Sequence, residues 1–202
     1  MFDVLVIGVG VSGVSCALVL GSAHNKEFVT TKKIGIFTHQ KASSLQNALF
    51  NNAYGISAGK LGSDLLVEST QQLHDLYPHV AQIQGEKVMK IEGSYPDFTV
   101  FTNKNSYGTK NIVVAIGSSN TFDIEGLMQY VIPHKKTVPE KLRIQLENQD
   151  HLVTVGVYVA GTLAGLRSQL SIAAGSGAAV ATDILTLWND GISTQIHDSI
   201  KK

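Results

Sequence analysis

The fold is decided by Val4-Leu-Val-Ile-Gly-Val-Gly-Val-Ser-Gly13, a short apolar run that ends in a glycine-rich turn. The apolar residues before the first glycine are typical of a buried parallel strand. The residues from Val11 to about Ser22 are rich in valine, alanine and leucine and predict a helix. A second strand, predicted over residues 33–38, would complete a βαβ unit of ordinary size.

The spacing of the glycines in this turn is that of a complete G-x-G-x-x-G motif. Gly8 permits the tight turn, Gly10 lets the backbone approach a pyrophosphate, and Gly13 lets the helix pack against the strand. The N–H groups of Val11 and Ser12 would then lie at the positive end of the helix, where phosphate oxygens bind. We therefore predict a dinucleotide phosphate site; the alternative is a close-packed turn without a ligand.

The end of the second strand usually carries an acidic residue that binds the ribose hydroxyls in such units. This chain has Thr38-His39-Gln40 at that position, without a carboxylate. We predict that Thr38 and His39 take over ribose or phosphate binding. His39 equally fits a solvated loop.

The remainder of the chain predicts an α/β fold in a single domain over residues 1–202, with a first half (1–120), a polar connection (121–154) and a closing strand and helix (155–192). The predicted elements are helices over 64–76 and 168–188, strands over 80–84, 86–91 and 98–102 that form an antiparallel meander, and buried strands over 111–116 and 156–160. Residues 40–62 predict an extended loop containing a short helix. We expect a central parallel sheet with helices on its faces and the small meander over part of one side.

Composition argues against several classes of partner and site. Lys+Arg and Asp+Glu number 16 each, so no basic field favours nucleic acid or an anionic membrane. Cys16 is the only cysteine, which favours a reducing compartment. The start lacks a signal-peptide pattern, and polar residues interrupt the most apolar segment (172–187), so we expect a cytoplasmic protein without a membrane span. The histidines show no metal-ligand spacing.

Six segments follow one another along the chain: the glycine turn, Leu45-Gln-Asn-Ala48, Glu86-Lys-Val-Met-Lys-Ile91, Ile112-Val-Val-Ala-Ile-Gly117, Gly156-Val-Tyr-Val-Ala-Gly161 and Arg167-Ser-Gln-Leu-Ser-Ile-Ala-Ala-Gly175-Ser-Gly177. In this order they resemble the flavin domain of the thioredoxin-reductase-like FAD-dependent oxidoreductases. The resemblance covers nearly the whole chain and implies a Rossmann-like FAD-binding domain.

The resemblance also implies which residues contact FAD. Besides the glycine turn, they are Asn47, Val88, Ala115, Ile116, Gly117, Gly161, Thr162, Arg167, Ser168, Gln169, Leu170 and Ala173. Some of these residues have a second interpretation: Asn47 also fits a turn cap, and Arg167 with Gln169 also fits a surface pair. The small residues over 173–179 predict a close approach of the last helix to the sheet, which is compatible with a nearby cofactor.

Three departures from the family pattern affect function. Only residues 118–154 lie where the family inserts an NADPH-binding domain, and this length is too short for a second nucleotide fold. The redox CxxC is missing, because Cys16 stands alone. Thr162 replaces the family's Asp, so the side chain keeps a hydroxyl but carries no charge.

The sequence therefore predicts an FAD-binding flavoprotein, with an oxidoreductase that lacks its own nicotinamide domain as the first hypothesis. Its electrons would come from free NAD(P)H, a small substrate or a redox partner protein. The alternative is a non-catalytic FAD-binding module or subunit. Binding of NAD(H) alone is disfavoured, since a plain nicotinamide-binding fold does not need the second glycine segment. The sequence indicates no catalytic residue and leaves the oligomeric state open; a homodimer would cover an apolar face left by the missing domain.

Overall fold

The elements of the computed structural model, which describes residues 1–39 and 45–198, follow the sequence pattern closely. The helices are α1 (Val11–Ser22), α2 (Gly62–Leu76) and α3 (Leu170–Trp188). The strands are β1 (Phe2–Ile7), β2 (Ile34–Phe37), β3 (Leu49–Phe50), β4 (Lys60–Leu61), β5 (Ala81–Ile83), β6 (Val88–Ser94), β7 (Asp97–Thr102), β8 (Ser106–Val114), β9 (Val131–Pro133), β10 (Ile144–Leu146), β11 (Leu152–Thr154) and β12 (Val157–Val159). Short 3₁₀ turns lie at Met128–Tyr130, Pro139–Lys141 and Gly161–Ala164.

The main sheet has β1 near its centre. Its parallel strands run in the order β12, β8, β1, β2, β5, and β11 adds an antiparallel edge strand beside β12. The central strands are nearly continuous apolar runs because both faces of a parallel sheet are covered. This arrangement confirms the predicted α/β class with a central parallel sheet.

Alternate residues of the central strands enter two separate hydrophobic cores. Val4, Val6, Ile34 and Ile36 point to one face, where they pack with residues of α1 and α3 and with Leu73 of α2. The residues between them point to the other face, which the meander and the connection before β10 cover. The helices therefore lie on one face, whereas the sequence led us to expect them on both faces.

Some predicted elements take a different place. Residues 80–84 were expected in the meander, but β5 pairs parallel with β2, and the antiparallel meander consists of β6, β7 and the first half of β8. In the loop predicted to contain a short helix, residues 49–61 form the β3–β4 hairpin, and the described residues 45–61 contain no helix. Residues 40–44 and the tail 199–202 lie outside the described residues.

The small residues of α3 serve the packing of α3 on α1. A β-carbon on Gly177 would lie 2.0 Å from the backbone oxygen of Ser12, so the helices approach each other as closely as a glycine allows. The Ser15 hydroxyl also donates a hydrogen bond to the Ala174 oxygen over 2.8 Å. The predicted close approach therefore occurs between two helices, and not between helix and sheet.

By length and composition, α3 is also apolar enough to cross a membrane, with 19 residues and a mean hydropathy of 1.5. Core helices of soluble proteins often have the same length and composition, and α3 packs along α1 in this fold. The absence of a membrane span stays a prediction.

Candidate functional site

Three glycine turns meet at one edge of the main sheet. Ile7, Val114 and Val159 end β1, β8 and β12, and they are paired in register across the three adjacent parallel strands. The turns that follow these strands therefore start at the same level. In open α/β sheets ligands bind outside the carboxyl ends of the strands, where the strand order reverses, and β1 occupies that position here.

The three glycines of the first turn differ in what requires them. Gly8 has a φ of +112°, and a β-carbon on it would lie 2.7 Å from the Ala115 oxygen. A β-carbon on Gly13 would lie 1.9 Å from the Gly8 oxygen. Gly10 has an ordinary φ of −73°, and its β-carbon would meet nothing nearer than 3.9 Å. The protein's own packing thus requires Gly8 and Gly13, whereas only a ligand close to the backbone would require Gly10.

Two helix N-termini open into one cavity of about 530 Å³. The first turn of α1 contributes Gly10, Val11 and Ser12, and the start of α3 contributes residues between Ser168 and Ala173. The first N–H groups of a helix have no partner within the helix, and its dipole places positive charge at the same end. Neither α1 nor α3 has an acidic residue in its first turn. Both helix ends are therefore suited to bind negative charge.

The side chains around the cavity also favour a negatively charged ligand. No Asp or Glu lines its wall among the described residues, whereas Lys141 and Arg143 do. These side chains, with the two helix ends, give the cavity positive electrostatic potential. Together with the open space at Gly10, this potential fits the pyrophosphate of a dinucleotide cofactor.

The turn after β12 joins the two helix ends. Gly161 has a φ of +74°, and a β-carbon on it would lie 2.6 Å from the Ser12 hydroxyl. Its N–H donates to the buried hydroxyl of Ser176 in α3 over 2.8 Å. Thr162 follows in the cavity wall with its side chain half-buried. A threonine at this position can offer a hydroxyl to a ligand, but it adds no negative charge to the cavity.

The structure places most of the predicted contact residues in this one cavity. Those in its wall are Gly10, Val11, Ser12, Ala115, Ile116, Gly117, Thr162, Ser168, Gln169, Leu170 and Ala173. Gly8, Gly13 and Gly161 lie directly behind the wall and shape the turns. Arg167 is exposed and stands outside the wall, so its contact with a flavin stays a prediction.

The residues predicted for the adenosine end and for the loop after β2 lie outside the cavity wall. Thr38 uses its N–H and hydroxyl to bind the Ile83 oxygen of β5, over 2.9 and 3.3 Å. His39 is half-buried and Asn47 is exposed, whereas Val88 is buried in the core beneath the meander. Gln40 lies outside the described residues. Ribose binding at Thr38 and His39 stays a prediction, as do the contacts of Asn47 and Val88.

Sequence reasoning missed part of the wall. The missed residues are Leu45, Ala48 and Phe50 before and in β3, Ser118 and Ser119 after β8, His134, Thr137, Lys141 and Arg143 around the β9–β10 hairpin, and Leu166. The two serines directly follow a predicted strand end and were the easiest to find. The hairpin residues lie in the segment that we interpreted as a connection, where no periodic pattern marks them.

The single thiol takes no part in the cavity. Cys16 lies on α1 with no exposed surface, and burial raises its pKa to about 12. A reactive cysteine needs an accessible thiolate, so Cys16 is inert at neutral pH. Among the described residues, no group of three or more His, Cys, Asp or Glu side chains is placed to hold a metal ion.

The fold and site define an α/β protein with a central, mostly parallel sheet that presents two helix N-termini to one cavity of about 530 Å³. The model of one protein family, pyridine nucleotide-disulphide oxidoreductase, matches residues 2–182. The chain belongs to this family, which confirms the resemblance drawn from the glycine motifs. No curated protein sequence matches the chain.

Solved structures share the fold at low sequence identity. An oxidoreductase from Agrobacterium tumefaciens is 12% identical with a TM-score of 0.72, and the match covers 92% of this chain and 98% of that one. A thioredoxin reductase from Gloeobacter violaceus is 15% identical with a TM-score of 0.70, over 99% of both chains. A ferredoxin-flavin thioredoxin reductase from Clostridium acetobutylicum is 15% identical with a TM-score of 0.67, over 94% and 98%. These matches show a thioredoxin-reductase-like fold.

Proposed function

We propose that this chain is an FAD-binding flavoprotein that acts as an oxidoreductase without its own NAD(P)H domain and without a redox disulfide. The observation that carries the proposal is the cavity shared by the N-termini of α1 and α3, with open space in front of Gly10. Membership of the pyridine nucleotide-disulphide oxidoreductase family supports FAD as the cofactor.

Each part of the cavity has a role in this proposal. The N–H groups of Val11 and Ser12 bind the pyrophosphate at the positive end of α1, where Gly10 leaves room for close approach. The start of α3 around Gln169 orients the isoalloxazine ring, and its dipole stabilises negative charge there. When bound, FAD supplies the electron transfer, and the protein supplies binding, orientation and electrostatics.

The segment between β8 and β12 supports an electron donor that comes from outside this chain. Residues 121–154 form the short β9–β10 pair, two 3₁₀ turns and the edge strand β11. A βαβ nucleotide fold needs two parallel strands joined by a crossover helix, whereas this segment contains no α-helix and pairs β9 with β10 antiparallel. Free NAD(P)H or a redox partner protein is the donor in this proposal.

A non-catalytic FAD-binding module or subunit is the second candidate. The described cavity wall contains no carboxylate or thiol, and Cys16 is buried away from it. A protein that only holds FAD for a partner would need neither group. The two candidates share the binding site and differ in whether bound FAD exchanges electrons with a soluble donor.

A visible absorption spectrum of the purified protein tests the cofactor. We expect the yellow colour and visible absorption bands of a flavin, and we expect them to persist through desalting. A colourless protein that takes up no added FAD would contradict the proposal. Anaerobic addition of NADPH or NADH then tests free NAD(P)H as the electron donor. Bleaching supports the oxidoreductase over the module, and an unchanged spectrum rules out NAD(P)H as the donor and leaves the module or an oxidoreductase reduced by a partner protein.

A further inference from the structure

The β9–β10 hairpin gives the cavity a basic wall. His134 follows β9, Arg143 precedes β10, and both line the cavity together with Thr137 and Lys141 of the connecting loop. We name these residues (His134, Thr137, Lys141 and Arg143) the hairpin wall.

Hydrogen bonds to neighbouring elements hold the hairpin in place. The Ile144 N–H donates to the Ser118 oxygen over 3.1 Å, which fixes β10 beside the end of β8. The buried side chain of Gln145 accepts the Lys135 N–H over 2.9 Å. It also lies against Gly165, where a β-carbon would come within 2.7 Å of its oxygen. The hairpin wall is therefore a fixed surface of the cavity.

His134 presents a hydrogen-bond donor from this surface. The residue is only 7% exposed, and its Nδ1 accepts the Lys136 N–H over 3.1 Å. Because a backbone N–H can only donate, Nδ1 is an acceptor and the neutral ring carries its proton on Nε2. No described residue hydrogen-bonds to Nε2, and the side chain lines the cavity. Its free N–H is thus available to a ligand.

Lys141 and Arg143 add charge beside this donor. Neither side chain forms an ion pair within the described part of the chain, and both are exposed at the cavity mouth. A lysine, an arginine and an imidazole N–H around one space form a donor set that suits phosphate oxygens. The α1 N-terminus already provides N–H groups for one pyrophosphate, which leaves this second donor set for another anion.

We propose that the hairpin wall is an anion subsite that binds a phosphate group of a second, freely diffusing substrate, with free nicotinamide dinucleotides as the first candidates. The inference rests on the proposed function, since it assumes that FAD fills the rest of the cavity. In this proposal the short β9–β10 hairpin, and not a separate folded domain, binds the soluble substrate. The phosphate could be the pyrophosphate common to NADH and NADPH or the 2′-phosphate of NADPH.

The test compares two double variants of the FAD-loaded protein. Lys141→Gln with Arg143→Gln removes the charges in the cavity wall. Lys135→Gln with Lys136→Gln removes two exposed charges of the same loop that lie outside the wall. Calorimetric titration with inorganic pyrophosphate, NADH and NADPH at low salt is the measurement. Loss of charge-assisted hydrogen bonds predicts roughly tenfold weaker binding in the first variant only, with unchanged FAD content.

The outcomes separate the subsite from the proposed function. Weaker binding of both dinucleotides and of pyrophosphate supports a pyrophosphate subsite, and weaker binding of NADPH alone supports a 2′-phosphate subsite. Equal affinities in the two variants, or no binding of pyrophosphate, NADH or NADPH by FAD-loaded wild type, would overturn the subsite and leave the flavoprotein intact. Loss of FAD from the Lys141→Gln, Arg143→Gln variant would assign the charges to the cofactor instead. Wild type that binds no FAD would overturn both proposals.

Discussion

At the scale of the residue, Gly10 is a position where a substitution should weaken ligand binding without affecting folding. Replacement by Ala places a β-carbon in open space on an allowed backbone conformation. We therefore expect Gly10→Ala to keep the melting temperature of the cofactor-free protein. The same β-carbon would occupy the space of a phosphate oxygen, and losing one charge-assisted hydrogen bond weakens FAD binding roughly tenfold to a hundredfold. Fluorescence titration with FAD and thermal unfolding measure the two effects.

Gly8→Ala is the matched control for Gly10→Ala, because it changes the same turn by the same methyl group. Its β-carbon would lie 2.7 Å from the Ala115 oxygen at a φ of +112°, so this variant should unfold at lower temperature. If Gly10→Ala bound FAD as tightly as wild type, the pyrophosphate assignment would be wrong.

At the scale of the element, the contact of α3 with α1 depends on Gly177. An alanine there would press its β-carbon to within 2.0 Å of the Ser12 oxygen and force the helices apart. We expect Gly177→Ala to lower the free energy of unfolding by about 1–3 kcal/mol, the usual cost of overpacking. Urea unfolding measures the change.

Gly175→Ala provides the control on the same helix. No atom lies within 4 Å of its β-carbon, and the position is exposed. Helix propensity alone then acts, and it favours alanine over glycine by up to about 1 kcal/mol. Gly177→Ala that is as stable as Gly175→Ala would show that the helices do not meet at Gly177.

The meander contains a carboxylate whose titration affects stability. Glu86, before β6, accepts hydrogen bonds from Thr102 (2.6 Å), Tyr107 (2.8 Å) and Asn105 (2.8 Å). These bonds, that of Thr102 first, lower the pKa of the Glu86 carboxyl in the folded protein. A depressed folded pKa contributes stability above the unfolded pKa, and this contribution is lost as pH falls through the folded pKa.

Glu86→Gln should therefore be less stable than wild type at neutral pH, with a difference that shrinks as the pH falls below about 4.3, the unperturbed pKa of Glu. Chemical unfolding across pH 3 to 7 measures this dependence. Glu92→Gln is the control, since Glu92 is an exposed carboxylate on β6. A Glu86→Gln difference that is constant with pH would exclude titration of Glu86 as its cause.

At the scale of the whole molecule, the sequence predicted best the positions of those candidate-site residues that directly follow a parallel strand. Gly8, Ala115 and Gly161 each follow a buried strand, and parallel strands in register bring such positions to one edge. The hairpin wall escaped prediction because Lys141 and Arg143 carry no local pattern that distinguishes a cavity residue from a solvated charge. The common face of α1 and α3 also escaped, because it depends on a contact between Ser12 and Gly177, far apart in the chain.

Because several elements meet at the cavity, the structure also predicts how the cofactor affects the stability of the fold. The cavity joins the turns after β1, β8 and β12 to the start of α3, so a ligand that fills it binds only when these elements are assembled. A ligand at a hundred times its Kd stabilises the folded state by about 2.7 kcal/mol, or about 5–10 °C in Tm for a chain of this size. Thermal unfolding with FAD, and with riboflavin as a control that lacks the phosphates, measures the shift. FAD should raise Tm well above riboflavin, because the N-terminus of α1 acts on the pyrophosphate, which riboflavin lacks together with the adenosine. Equal shifts would show that the N-terminus of α1 contributes nothing to the binding energy.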